Sequence, residues 1–224
     1  MLSTISYRII TGIVAVCNWL RLVRWQVSGV DNLPARTSGM ILVCNHLEWH
    51  DIPLIGWGLP VAYQPWWFAK HDLRDGWWYG WWVKRMPIIP VRRGQRVRDA
   101  VHHAIAAVKN GAVLVVFPEG TWDYSGKLLP AKSGASRIAI HTGAPIVPMA
   151  IVGNHISPWG KSRQLIIGKP FFAPSLATDH TLTASDIAQL TTTIMVHIAQ
   201  LLPPEYHGYY APMVAAQQDT TKEQ

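Results

Sequence analysis

The sequence predicts an α/β fold with a mixed, largely parallel central sheet flanked by helices. Two observations carry that expectation. The unbroken apolar runs Met40-Ile-Leu-Val-Cys44 and Val113-Leu-Val-Val-Phe117 have the make-up of strands buried on both faces. Segments with helical spacing of apolar residues alternate with such runs, as strand–helix units do. Each run also ends in a polar cluster, Asn45-His-Leu-Glu-Trp-His-Asp51 after the first and Pro118-Glu-Gly-Thr121 after the second. Ligands of open α/β sheets gather at the carboxyl ends of strands, so the chain reads as an enzyme.

The elements follow in order. Ile5, Ile9, Ile13, Val16, Leu20 and Val23 recur at helical spacing and form one apolar stripe flanked by Arg8, Arg21 and Arg24. Only twelve uncharged residues separate Arg8 from Arg21, too few to span a bilayer as a helix. Residues 1–24 are therefore expected to be an interfacial helix lying in one leaflet, with a helix packed on the body as the alternative. No small-x-small cleavage site follows, which argues against a signal peptide.

Trp25 to Val30 reads as a strand and Asp31 to Pro34 as a turn. Met40 to Cys44 is a buried strand, Asp51 to about Leu59 a helix, and Trp66 to Lys70 a short strand. His71 to about Arg85 is helical despite Gly76 and Gly80, and Ile88 to Val91 is a strand. Arg96 to Asn110 is a helix stopped by Gly111. Val113 to Phe117 is the central strand, and Gly134 to His141 a helix closed by Gly143. Ile146 to Val152 and Gln164 to Ile167 complete the sheet. After the loop Lys169 to Pro174, a helix from about Ala184 to Leu202 opens on Thr183 and Asp186, which resemble a capping box, and stops at Pro203-Pro204. One enzyme domain is thus expected over 25–204, with 205–224 a polar, disordered tail.

Composition narrows the partners. Charged residues make up only 15% of the 224, against about a quarter in ordinary soluble domains. The net charge of +7 favours anionic partners such as phosphates or an acidic bilayer. Nucleic acid is not expected, because no zinc-finger or RNP-like pattern is present. Eight of the twelve Trp fall between Trp49 and Trp82; an aromatic-rich core and a membrane-interface belt both account for them. Cys17 and Cys44 supply neither a disulfide framework nor a CxxC site, which fits a reducing compartment.

His46 falls just past a strand end and Asp51 at a helix start, where the dipole favours a carboxylate. Such an Asp can accept a hydrogen bond from one imidazole nitrogen and fix the tautomer. The other nitrogen is then able to take a proton from a hydroxyl, which the substrate itself can bring. A metal reading competes, because His46, Glu48 and His50 alternate and share a face if extended; it would make the chain a metal-dependent hydrolase. The PCxxC of zinc deaminases and the HExxH of zincins are both absent.

In Arg92-Arg93-Gly94-Gln95-Arg96-Val97-Arg98, positive charge precedes a helix and opposes its dipole. A phosphate held by Arg93 and the helix N–H groups would compensate. A solvated charge run on anionic lipid is the alternative for Arg96 and Arg98. Gly120 permits a sharp turn that exposes N–H groups to an anion. Glu119 can bond substrate hydroxyls, and Lys132 can add a cation.

Asn45-His-Leu-Glu-Trp-His-Asp51 resembles the NHx4D motif of the glycerolipid acyltransferase family typified by lysophosphatidate acyltransferase. Ile89-Pro-Val-Arg-Arg-Gly94 resembles that family's second block, Phe117-Pro-Glu-Gly-Thr121 its third and Val147-Pro-Met-Ala-Ile151 its fourth. The blocks keep the family's order over roughly Val27 to Ile167. The resemblance implies a glycerolphosphate-acyltransferase-like domain acting on the cytoplasmic face of the cell membrane. It assigns His46 as general base and Asp51 as its orienting partner. Asn45, Lys70, Arg93, Glu119, Gly120, Thr121 and Lys132 become the substrate-binding set. The implied reaction moves an acyl group from acyl-CoA or acyl carrier protein to the hydroxyl of lysophosphatidate, giving phosphatidic acid. It needs no cofactor beyond that thioester co-substrate and no metal. Two departures stand out. Trp122 replaces the Arg that usually follows the third block, which moves or removes one phosphate contact and makes another lysolipid the alternative acceptor. Only one helix fits ahead of Trp25, where many relatives have two; the Trp77, Trp78, Trp81 and Trp82 face is the expected compensation.

Overall fold

The computed structural model describes residues 2–70, 86–91, 97–122, 125–153, 162–174 and 182–222. Seven strands form one sheet: β1 (Arg24–Ser28), β2 (Met40–Cys44), β3 (Pro65–Lys70), β4 (Ile88–Val91), β5 (Val113–Val116), β6 (Ile146–Gly153) and β7 (Ser162–Ile167). Their order across the sheet is β1-β7-β6-β2-β5-β3-β4. Every pairing is parallel except β6 with β7, so the mixed, largely parallel sheet is as expected.

Strand β2 lies between β5 and β6, and all five of its residues are buried. The alternation of side chains divides it between two cores. Ile41 and Val43 pack under helices α3 (Val97–Lys109), α4 (Gly134–Thr142) and α5 (Ala184–Ala199), with Ala104, Ile138, Leu190 and Ile194. Met40, Leu42 and Cys44 pack on the other side with Trp67 and with Leu54 and Ile55 of α2 (Asp51–Gly58). A run that is apolar at every position is what a strand covered on both faces requires.

Most elements fall where expected, and four differ for physical reasons. Strand β1 stops at Ser28, not Val30, because Gly29 turns left-handed at φ 76° to start a short 3-10 turn; a Cβ there would lie 2.0 Å from the Ile167 carbonyl oxygen. Strand β7 begins at Ser162, two residues early, so that Arg163 belongs to the sheet. Helix α5 ends at Ala199; its Thr183 cap and Asp186 form the capping box in full. The tail is not disordered over 205–222. Short 3-10 turns lead into α6 (Ala211–Lys222), and Tyr210 and Val214 are buried. Tyr210 accepts a hydrogen bond from the Ala131 N–H, and the Tyr209 N–H bonds the Leu128 carbonyl. Two apolar anchors offset a polar composition. The expected helix over His71 to Arg85, with its Trp77–Trp82 face, lies outside the described residues.

Helix α1 (Leu2–Trp19) packs on the body through one side only. The Tyr7 hydroxyl donates to the Gly56 carbonyl of α2, and Asn18 exchanges two hydrogen bonds with the Trp25 backbone. The apolar stripe faces the other way over Ile5, Ile9, Ile13, Val16 and Leu20, which are exposed with Trp19 (81%), whereas Val23, expected in the stripe, is buried in the core. Among the described residues no helix is long and apolar enough to cross a membrane.

His197 of α5 stacks on Phe171 with ring centroids 4.2 Å apart. Burial holds its imidazole below the ordinary value of 6.5. Above that value the ring is neutral in folded and unfolded chains alike. As the pH falls through it, the unfolded chain takes up the proton first, so stability is lost toward acid. His197→Phe keeps the stack without a titrating group. It should therefore shrink the fall in Tm between neutral pH and about pH 5.5, as thermal denaturation at the two values would report.

Candidate active site

Because β2 and β5 are adjacent and parallel, with Val43 opposite Val116, their two polar clusters emerge side by side at one carboxyl edge. The loop after β2 is built around Asp51. Its side chain is fully buried, and Oδ2 accepts three hydrogen bonds: from the N–H of Leu47 at 2.7 Å, the N–H of Glu48 at 2.9 Å, and His46 Nδ1 at 2.8 Å. Burial pushes the Asp51 carboxyl above its ordinary value, and the hydrogen bond and charge of His46 pull against that rise.

The His46 ring is fixed on further sides. It stacks on Phe117 with centroids 4.0 Å apart, and Trp122 meets it edge-on at 5.4 Å. With Nδ1 committed to Asp51, Nε2 is the nitrogen left for chemistry. Trp122 is 43% exposed, which marks this as the open side of the site.

Asn45 and Glu119, expected among the substrate-binding groups, are buried braces. The Asn45 side-chain amide donates to the Ile151 carbonyl at 3.1 Å and accepts from the Ile151 N–H at 2.7 Å, continuing the β2–β6 pairing beyond the strand. Glu119 is 4% exposed; one oxygen accepts the His46 N–H at 3.1 Å and the other the Leu129 N–H at 2.8 Å. Polar residues at a strand end can serve substrate or backbone, and here the buried N–H groups claim them.

The cluster after β5 turns at Gly120, where φ is 66°. A Cβ there would stand 2.8 Å from Lys132 Nζ, so the missing side chain leaves room for the ammonium against the turn. The Lys132 N–H donates to the Pro118 carbonyl at 2.9 Å, tying the two segments together. Thr121 is exposed at the same turn. Lys70 ends β3 opposite Val91, and Arg93 lies outside the described residues.

A further charged group, absent from the sequence reading, lies behind the dyad. Arg163 of β7 is 2% exposed; its guanidinium pairs with the Glu48 carboxylate and stands 3.6 Å from Asp51 Oδ1. His50 Nδ1 lies 3.1 Å from the same Glu48 oxygen, and burial holds the His50 imidazole below its ordinary value. The signal was an Arg at the same strand parity as the buried Leu165 and Ile167. This arrangement corrects the metal reading. His46 turns to Asp51, while Glu48 is taken up by Arg163 and His50, so His46 does not join the Glu48–His50 pair. No group of three or more His, Cys, Asp or Glu among the described residues is disposed to hold a metal ion.

Cys44, beside the site, is no candidate nucleophile. Burial first, then the Asp51 and Glu119 carboxylates, push its thiol well above the ordinary value, and a protonated thiol does not attack.

Comparison with known proteins agrees with this geometry. A family model described as Acyltransferase matches residues 24–152. The chain is 31% identical over 180 residues to a 1-acyl-sn-glycerol-3-phosphate acyltransferase of Bacillus subtilis, covering 79% of this chain and 87% of that protein. It is 32% identical to one from Cocos nucifera over 71% of this chain, spanning 54% of the plant protein. A lyso-ornithine lipid O-acyltransferase of Pseudomonas aeruginosa is 29% identical over 58% of this chain and 53% of its own length. Among solved structures, the fold is similar to that of a 1-acyl-sn-glycerophosphate acyltransferase from Thermotoga maritima. The TM-score is 0.65 at 24% identity, covering 87% of this chain and 78% of the other.

Asn45→Ala would leave the Ile151 N–H and carbonyl unpaired in the core. It should lower stability by about 1–3 kcal/mol, measured by chemical denaturation.

Proposed function

This chain belongs to the acyltransferase family, and we propose that it moves a fatty acyl group from a thioester donor to the free hydroxyl of lysophosphatidate, giving phosphatidic acid. The observation that carries this reading is the His46–Asp51 pair at 2.8 Å, which commits Nδ1 and leaves Nε2 of the imidazole for chemistry. Nε2 takes the proton of the acceptor hydroxyl as its oxygen attacks the thioester carbonyl. Asp51 stabilises the imidazolium that forms. The tetrahedral intermediate then expels the thiolate, which leaves as the thiol with the proton from Nε2. The acyl carbon passes from sulfur to oxygen, and neither metal nor redox step enters. The donor is acyl-CoA or acyl-loaded acyl carrier protein, used as co-substrate.

In this reading Arg93, Lys70 and Lys132 meet the acceptor's phosphate, helped by the turn at Gly120 and Thr121. The reaction takes place at the cytoplasmic face of the cell membrane, as a step in phospholipid synthesis. The exposed stripe of α1 supports a monotopic attachment, since an apolar stripe flanked by Arg suits an anionic lipid surface. A second reading is a different lysolipid acceptor. Trp122, edge-on to His46, favours it by setting an uncharged wall beside the base, and a relative carries the name lyso-ornithine lipid O-acyltransferase.

His46→Ala should reduce acyl transfer by about 10²- to 10⁴-fold while leaving the fold intact. Thiol release on adding lysophosphatidate and an acyl thioester measures it, and unchanged turnover would sink the mechanism. Arg93→Ala should raise the KM for lysophosphatidate by about tenfold or more with a smaller effect on kcat. A panel of lysolipids with both donors, its products identified by mass, decides between the two acceptor readings.

A further inference from the structure

We propose that Arg163 is a positioning residue for acyl transfer: from behind the catalytic loop its guanidinium orients Asp51 and keeps it ionised for His46. The inference rests on the acyl-transfer reading above and adds a group to it.

The geometry carries the argument. Asp51 presents two different oxygens to two different partners. Oδ2 is taken up by His46 Nδ1 and two backbone N–H groups, while Oδ1 has no hydrogen-bond partner among the described residues and faces Arg163 Nη1 at 3.6 Å. A fully buried carboxylate of this kind is stable as an anion only with compensating charge nearby. The groups facing it are His46, Glu48 and His50 from its own loop, the protonated Cys44 thiol from β2, and Arg163 from β7. His46 must be neutral to act as a base, and burial disfavours charge on His50. Among the described residues Arg163 is therefore the standing positive charge beside Asp51. Its second arm pairs with Glu48, which holds the guanidinium in place and shares out its charge.

The sheet makes room for this side chain. Gly153 pairs with Arg163 across the antiparallel β6–β7 register. A Cβ at Gly153 would stand 3.0 Å from Arg163 Cγ and 2.8 Å from the Ser162 carbonyl oxygen, and φ there is 148°. The arginine stem runs over the one residue type that lets it pass.

Removing a buried positive charge makes the dyad bind its proton more tightly, whichever member holds it. In Arg163→Gln the acid limb of kcat/KM should therefore move to higher pH by about one unit or more. Its kcat should fall by about 10- to 100-fold, while the KM for lysophosphatidate changes little. Arg163→Lys keeps the charge without the fork, so its limb should stay near the parent position with part of kcat restored. Glu48→Gln removes the neighbouring negative charge, so its limb should move the opposite way, toward lower pH. The experiment is thiol release across the acid-to-neutral range for the full chain and the three variants, with Tm measured alongside.

An acid limb that stays put in folded Arg163→Gln, with activity lost only as Tm falls, overturns the proposal and leaves Arg163 a structural ion-pair member. If Arg163→Gln does not fold, Arg163→Lys and Glu48→Gln decide, and an unmoved limb in Glu48→Gln overturns it equally. These outcomes leave the underlying reading untouched, since that fails only if the parent chain transfers no acyl group or His46→Ala retains full activity.

Discussion

One buried carboxylate oxygen organises the site. Asp51 Oδ2 gathers the N–H groups of Leu47 and Glu48 and the ring of His46 within 2.9 Å. These bonds shape the chain between β2 and α2 into a closed loop whose centre is that atom. Three consequences share this cause. The loop conformation is held by hydrogen bonds to one residue, so its shape and the dyad's geometry cannot vary separately. The imidazole tautomer is set, with its proton on Nδ1. Helix α2 begins at the residue that fixes the base, which ties the site to the core through Leu54 and Ile55. The burial cost that favours the neutral acid is opposed by hydrogen bonds and charge, as expected for a carboxylate that must stay ionised.

The sheet then decides what stands next to that loop. Parallel pairing of β2 with β5 and β6 puts three loops at one edge, and two polar side chains lock them together. Asn45 extends β2 toward β6 through Ile151. Glu119 reaches from the β5 loop to the His46 backbone and on to Leu129. Each is buried with its polar atoms turned to backbone groups, so each fixes loop separation more directly than it can touch a substrate. A small displacement of such loops displaces the base relative to its hydroxyl, and the rate of transfer is steep in that distance.

Much of this was legible in the residues. A run apolar at every position, as in Met40–Cys44, has one packing solution, a strand covered on both faces, and a polar cluster at its end then has one address. The His46–Asp51 pairing was legible because both partners lie on one short loop. What escaped was set by long-range pairing. Arg163 is more than a hundred positions from Asp51, and the antiparallel pairing of β7 with β6 brings it behind the dyad. Asn45 and Glu119 were rightly placed at strand ends, but the backbone groups they bond were not legible, because those partners depend on strand order. The tail looked solvated because its polar composition outweighs Tyr210 and Val214, yet two buried side chains suffice to dock a short helix. The stripe on α1 was legible, but which side of that helix faces water depends on Tyr7 and Asn18, polar residues on its other side.

The aromatic surroundings of His46 carry a last consequence for charge. Phe117 covers one face of the ring and Trp122 stands at its edge, so neither offers a cation to a phosphate at that point. Among the described residues the cation seated at the turn is Lys132, beside Gly120 on the adjoining segment. In the proposed reaction an anionic group on the acceptor would therefore meet its charge at Lys132, apart from the aromatic rings around the base. Such a division suits an amphiphile, because the apolar wall excludes water from the reacting oxygen and the charge is met where solvent remains. It also separates two functions that a single Arg beside His46 would combine. A guanidinium at the Trp122 position would bind phosphate but disfavour the imidazolium that forms as the proton moves, whereas the indole edge leaves that charge to Asp51 alone.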